Sequence, residues 1–394
     1  MVIILLIFPE YAIKCIEAIT ENGFEAYFVG GCVRDGILGR NCDDIDITTS
    51  ATPEEIISLF PHTVPTGIKH GTVTVIIDKH PIEVTTFRQE FGYNDSRHPD
   101  EVVFVSNLED DLSRRDFTIN ALACDKNGKI IDIFNGLLDL KAGIIKAVGE
   151  PKKRFEEDAL RIVRAYRFAS VLGFKIDENT RNAAITLSSK INSISGERLL
   201  GELKKAACGK QPAAICELIS TGVFKEFGII SQTYSNETFN RLSCIDIAPT
   251  SMLAILLTLC RHDTELIKSK LKADNQLLTT IKSLDKLLML DVPNNKKQIQ
   301  KLLYKHNILY LRVYFYYLFV TNKVTNYHLF DMLDDVLKHC EPYRISHLAI
   351  DGNDLLEIGY TGAKIKELLE KALFAVIDEK ISNTKEALLD FLKN

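Results

Sequence analysis

No apolar run in this 394-residue chain approaches the roughly 20 residues that a membrane helix needs, so no membrane partner is expected. The opening VIILLIFP has no basic residue ahead of it, and Glu10 and YAIKCIEAI follow at once. It reads as a short buried segment entering a helix, not as a targeting signal. The nine cysteines are scattered, odd in number and without a CxxC pair. That excludes a zinc site built from paired thiolates, and the pattern fits a reduced, cytoplasmic protein. Fixed-period repeats and low-complexity tracts are also missing. An excess of positive charge is missing, with 48 basic against 53 acidic side chains and a net −5, which argues weakly against a nucleic-acid partner until its distribution is considered. Residues 141–210 hold 15 basic and 8 acidic side chains, which leaves −12 on the remainder. A basic segment inside an acidic chain suits a phosphate-binding groove or, equally, a solvated helical face.

What is present has two characters. Up to about residue 140 the chain mixes β-branched or alternating runs (EAYFVG, IDITT, GTVTVII, IEVTTF, EVVFV) with two helical patterns, EYAIKCIEAITEN and TPEEIISLF. Thr52, Pro53 and Glu55 form a capping-box start for the second helix. Beyond residue 140 strand signals vanish and amphipathic helical stretches succeed one another. The expected fold is α+β: a head with a mixed twisted sheet flanked by helices, then an elongated all-helical neck, body and tail. The expected limits are 1–140, 141–207, 208–315 and 316–394. Arg88 to Glu101 is polar and charged and reads as a mobile loop of the head.

The densest chemistry lies in GGCVRDGILGRNCDDIDITT, Gly30 to Thr49. In a strand, residues i and i+2 share a face. Asp44 and Asp46 would then project together, with Ile45 and Ile47 turned into the core. Two carboxylates on one face need a counter-charge, and an all-oxygen donor set selects Mg²⁺. The paired Gly30 and Gly31 permit close backbone approach to a polyphosphate, and Arg34 can grip it with its planar fork. Glu83, alternating with Ile82 and Val84, is either a third carboxylate of a two-metal catalytic site or part of an exposed strand face. Cys32 and Cys42 read as small packing residues.

Two further stretches, SRRDFTINALA (Ser113 to Ala123) and DIFNGLLDLKAGIIKAVGEPKKRFEEDALRIVRAYRFASVLGF (Asp132 to Phe174), join the first in resembling the bacterial class II tRNA nucleotidyltransferases, the CCA-adding enzymes. The resemblance is dense from Ala26 to Lys205 and looser beyond. It implies that Gly31 and Arg34 contact the triphosphate and that Asp44 and Asp46 bind Mg²⁺. It implies that Arg115 holds the nucleotide from a second side, with Asp116 and Asn120 shaping the ribose pocket. Asp158 and Arg161 would read the incoming base, and Arg164 and Arg167 would complete the nucleotide site. CTP and ATP would be the substrates and the acceptor-TΨC limb of tRNA the partner; no protein partner is implied.

A physical argument stands beside the resemblance. Spacings of three place Asp158, Arg161, Arg164 and Arg167 as a slanting stripe on one helix. Cytosine and adenine both present an exocyclic amine beside a ring-nitrogen acceptor. A carboxylate accepts from the amine and an arginine donates to the ring nitrogen. Uracil and guanine put a carbonyl where the amine was, so Asp158 would reject them. Basic candidates for the tRNA backbone are Pro151 to Arg154, Lys204, Lys205, Asn294 to Lys297 and Lys301. YLRVYFYYLFV reads as core. An enzyme adding only A or only CC, and a bacterial poly(A) polymerase, are the alternatives. The intact Arg88–Glu101 loop argues against the CC-only form, and the complete EEDALR stretch against the polymerase.

Overall fold

The computed structural model describes residues 6–42, 44–91, 101–339 and 341–393. The chain forms two compact units: residues 1–232 with 265–272, and 233–264 with 273–394.

In the first unit the expected strands form with little change. Helix α1 (Glu10–Glu21) buries Ala12, Cys15, Ile16 and Ile19, an i, i+3, i+4, i+7 stripe. Ahead of it Leu6 and Phe8 are buried and Ile7 is exposed; residues 1–5 lie outside the described residues. Strand β1 (Ala26–Val29), helix α2 (Gly31–Ile37), strand β2 (Asp46–Thr49) and helix α3 (Pro53–Leu59) follow. Thr52 and Glu55 cap α3 reciprocally, as expected. Then come β3 (Thr63–Gly67), β4 (Thr72–Ile77) and β5 (His80–Thr86). A separate hairpin pairs β6 (Arg88–Phe91) with β7 (Glu101–Phe104). The ends of the expected loop are therefore paired strands, and its centre, 92–100, lies outside the described residues. Helix α4 (Leu108–Ser113), β8 (Leu122–Cys124), β9 (Ile130–Asp132) and helix α5 (Gly136–Ala142) complete the head.

The seven-stranded sheet runs β3-β4-β5-β2-β1-β8-β9. Only β2 and β5 pair in parallel, with Asp46 opposite Glu83. That register is why the site has its form. A parallel pair brings residues more than thirty positions apart onto the same face at the same level. Beneath the sheet Val29, Phe87, Leu112, Ala121 and Ala123 pack as one apolar cluster.

Helices α6 (Pro151–Glu157), α7 (Leu160–Leu172), α8 (Glu178–Thr186) and α9 (Gly196–Ala207) follow the head. Strand signals do not vanish entirely here. Ile144–Ile145 and Lys175–Ile176 pair in parallel, in segments too short for any alternation to show.

The second unit is carried by helices, among them Pro249–Thr258, Asn275–Leu288, Lys296–Lys305, Ile308–Val320 and Ala363–Ile377. One apolar cluster joins Leu348, Leu355, Leu368, Leu373 and Leu388. In the aromatic-rich helix Ile308–Val320, Tyr314, Phe315 and Tyr317 are buried, as core residues should be. No helix among the described residues is long and apolar enough to cross a membrane.

Candidate nucleotide-binding cleft

A cleft of about 610 Å³ opens in the first unit. Every candidate catalytic or nucleotide-binding residue read from the sequence lines it except Glu83. Eight arginines and lysines face five aspartates in its lining, so its walls carry net positive charge. That balance suits a polyphosphate.

The carboxylate corner comes first. Ile45 and Ile47 are buried and Asp44 is exposed, which agrees with the expected alternation. The strand itself starts only at Asp46, so Asp44 sits just ahead of it. Burial pushes the Asp46 carboxyl up and Arg115 pulls it down; Glu83 and then Asp44 push it up again, to about 6. Positive charge is thus short beside these carboxylates. Among the described residues no three His, Cys, Asp or Glu side chains converge tightly enough to hold an ion alone. An all-oxygen donor set that leaves part of the shell to substrate fits a hard divalent cation.

Gly30 turns the chain between β1 and α2 with φ +70°, a backbone that side-chain-bearing residues rarely adopt. A Cβ there would also meet Arg115 Nη1 at 3.1 Å. Arg115 donates from Nη2 to Asp111 at 3.1 Å, and its Nε is buried without a hydrogen-bond partner. An unsatisfied buried donor costs about 1–3 kcal/mol. Asp111 is fully buried and also receives Arg114 and the Thr48 hydroxyl. Burial pushes Asp111 up, but Arg114 and Arg115 together hold it below the usual carboxylate range.

A continuous chain of bonds runs from the head to α7. Arg34 grips Asp35 at 3.0 and 2.6 Å and donates to Asn120 Oδ1 at 2.6 Å. Asn120 donates to Asp116 Oδ1 at 2.9 Å, and Arg164 donates to Asp116 Oδ2 at 2.7 Å. Burial would raise Asp116, yet Arg164, the Asn120 amide and Arg161 bring it down to about 2. Arg167 donates to Glu202 of α9 at 2.8 Å.

The base-reading stripe differs from its expected form. The helical run does not continue through Asp158, which ends α6 in an extended conformation at φ −138° and ψ 108°. Its Oδ1 accepts from the Leu160 backbone N–H at 3.0 Å, the local bond by which aspartate competes with a helix. Arg161, Arg164 and Arg167 alone share α7. Asp158 and Arg161 both line the cleft but do not pair. Asp158 Oδ2 accepts from Arg198 at 2.8 Å. Arg161 is held by Glu157 at 2.7 Å and by the Arg114 carbonyl at 3.0 Å. Arg198, Glu202, Asp111 and Phe168 escape sequence reasoning, because nothing local marks them. Cys32 is buried and Cys42 lines the cleft.

Several lysines proposed for RNA contact are engaged elsewhere. Lys296 pairs with Asp335 at 3.2 Å, Lys297 with Glu379 at 2.8 Å and Lys301 with Asp378 at 2.5 Å. Lys152, Lys153 and Lys205 are exposed, and Lys205 reaches the cleft.

Comparison with known proteins places these features in context. The family model described as the poly A polymerase head domain matches residues 26–146. A model described as a probable RNA- and SrmB-binding site of polymerase A matches 173–228, and a tRNA nucleotidyltransferase domain 2 model matches 249–392. A CCA-adding enzyme of Lactiplantibacillus plantarum is 38% identical over 391 residues, covering 96% of this chain and 94% of that one. A CCA-adding enzyme of Staphylococcus epidermidis is 38% identical over 396 residues, covering 97% of each. The crystal structure of the Bacillus stearothermophilus CCA-adding enzyme in complex with CTP is similar throughout, with a TM-score of 0.80, 31% identity and 98% of each chain covered.

Proposed function

The chain belongs to the family of CCA-adding enzymes, and from that premise we propose how its own residues do the work. It adds C, C and A to the 3′ end of tRNA from CTP and ATP without a nucleic-acid template. The 3′-hydroxyl of tRNA attacks the α-phosphate in line; the new phosphodiester forms as the bond to pyrophosphate breaks. The observation that carries the reading is a single cleft that gathers two carboxylates, a set of arginines and the Asp158–Arg161 region.

Arg34 and Arg115 take the triphosphate, and the partnerless Nε of Arg115 is a donor waiting for an anionic oxygen. Gly30 and Gly31 let the backbone come close. Asp116 and Asn120 shape the ribose pocket while holding Arg34 and Arg164 in one network. Asp44 and Asp46 hold a divalent cation, Mg²⁺ by the donor set, which when bound supplies charge to the triphosphate and the attacking hydroxyl. Glu83 is exposed and stands in register with Asp46, which supports a role as the third carboxylate of the catalytic corner.

Asp158 accepts from the exocyclic amine of C or A, and Arg161 donates to the adjacent ring nitrogen. Arg198 fixes the plane of the Asp158 carboxylate. Arg164 and Arg167 complete the nucleotide site. The exposed Lys152 and Lys153, with Lys205, offer phosphate contacts to the acceptor limb. The scattered cysteines, odd in number and without a CxxC pair, support a cytoplasmic setting.

The test uses purified protein, Mg²⁺ and each labelled nucleotide. The acceptors are tRNAs ending at the discriminator base, at C and at CC. The expected result is two C additions and then one A. Incorporation of A only on the CC end overturns full CCA addition, and long A tails on other RNA overturn the tRNA assignment.

A further inference from the structure

The geometry points to Phe168 as a positioning residue that holds three cleft arginines through its ring. The inference rests on the nucleotide reading above and adds to it a residue of the cleft lining that acts through the arginines. The guanidinium carbons of Arg34, Arg164 and Arg167 lie 5.0, 5.3 and 3.5 Å from the ring centroid. All three fall inside the roughly 6 Å over which a cation is attracted to an aromatic face, an arrangement met about once per 70–80 residues. Three such contacts on one buried ring are therefore a construction and not a coincidence.

Three guanidinium groups gathered at one ring repel each other. Carboxylates offset part of this: Asp35 holds Arg34, Asp116 holds Arg164 and Glu202 holds Arg167. Each carboxylate, however, occupies N–H donors at the guanidinium edge, and those donors are what a triphosphate needs. An aromatic ring attracts the cation and takes no donor. Phe168 thereby lets positive charge accumulate in the cleft while leaving N–H groups for the ligand. It also links the head, through Arg34, to helix α7, which carries Arg164 and Arg167. The ring is itself fixed by an edge-on contact with Phe117, with centroids 5.7 Å apart.

The test separates charge attraction from packing. In the full chain, Phe168 is replaced by 3,5-difluorophenylalanine and by pentafluorophenylalanine, which keep the ring's shape but weaken and then reverse its quadrupole. Phe168→Leu provides an apolar side chain with no ring. Binding of CTP and of ATP with Mg²⁺ and without tRNA is measured by calorimetry, beside the melting midpoint. Affinity should fall roughly fivefold with two fluorines and roughly thirtyfold with five, by the same factor for both nucleotides. The order of affinities should follow the quadrupole and not the melting midpoint. Affinities that stay flat across the fluorinated series, with the wild type binding normally, overturn the role of Phe168. A wild-type protein that binds neither CTP nor ATP instead overturns the nucleotide reading itself.

Discussion

The two units differ most in what they bury. In the first, Arg34, Asp111, Asp116, Arg161, Arg167 and Glu202 are all buried. In the second, the buried polar residues among those described are Ser251, Thr258, Thr280 and Gln300, none of them charged. Its charged side chains pair at the surface instead, as in Lys301–Asp378 and Arg312–Asp334. Burying a charge is costly even when it is paired, and apolar replacements often serve stability as well or better. The first unit keeps its buried charges where the cleft is. The contrast separates residues retained for chemistry from those retained for packing.

The sharpest way to break that contrast is at the carboxylate corner. Asp46→Ala should lower nucleotide transfer about 10³- to 10⁴-fold, the kinetic equivalent of losing several kcal/mol of charge stabilisation. Steady-state incorporation on tRNA measures this, and near-normal turnover would remove Asp46 from the chemistry.

Next comes a paired comparison of stability. Asp116→Ala leaves Arg164 without its main partner and should cost about 3–5 kcal/mol in urea unfolding. Asp378→Ala removes the surface partner of Lys301 and should cost at most about 1 kcal/mol. Equal losses in the two variants would erase the distinction between the units.

Selectivity should respond less. Asp158→Ala should narrow discrimination of CTP and ATP against UTP and GTP by about 1–3 kcal/mol, roughly 5- to 150-fold. Arg198→Ala should move it in the same direction by a smaller factor. Competition between nucleotides at fixed tRNA measures both, and unchanged selectivity in Asp158→Ala refutes its reading role.

The smallest expected effect is in pH dependence, where the two units have opposite signs. Asp116 falls to about 2 in the folded protein, so its contribution is present above its ordinary value near 3.8 and is lost as pH falls through about 2. His262 of the second unit is raised, first by its bond with Asp285 at 3.3 Å and against the opposing effect of burial. Its contribution is full below its ordinary value of 6.5 and is lost as pH rises through the folded one. His262→Gln should therefore flatten the decline of stability as pH rises above 6.5. A wild-type slope that persists in the variant assigns it to another group.

The local patterns were legible in the sequence because each is written within a few residues. Alternation announced β1, β2, β4 and β5, and Thr52 with Glu55 announced the start of α3. The carboxylates and the arginines could be listed in the same way. What stayed hidden was partnership at a distance. Arg198 lies forty positions from Asp158, and Lys301 finds Asp378 far along the chain. Neither pair follows a helical or strand period. The break at Asp158 was also missed, because periodicity continues on both sides of it while one side-chain bond to the Leu160 N–H decides the backbone. Phe168 stayed hidden too, because a ring's use as an electrostatic surface leaves no trace in hydropathy.

The cleft draws its walls from residues spread between Gly30 and Lys205, the first half of the chain. On a ribosome these are made about 175 residues apart, an interval of roughly 10–35 s at ordinary elongation rates. Until α9 emerges, Asp158 and Arg167 lack Arg198 and Glu202, the partners that hold them. Nucleotide capture is therefore a late acquisition of the growing chain, timed by elongation and not by the folding of the sheet. Stalled nascent chains of increasing length should gain CTP binding only once α9, with Arg198 and Glu202, has cleared the exit tunnel, and binding by shorter chains would contradict this order.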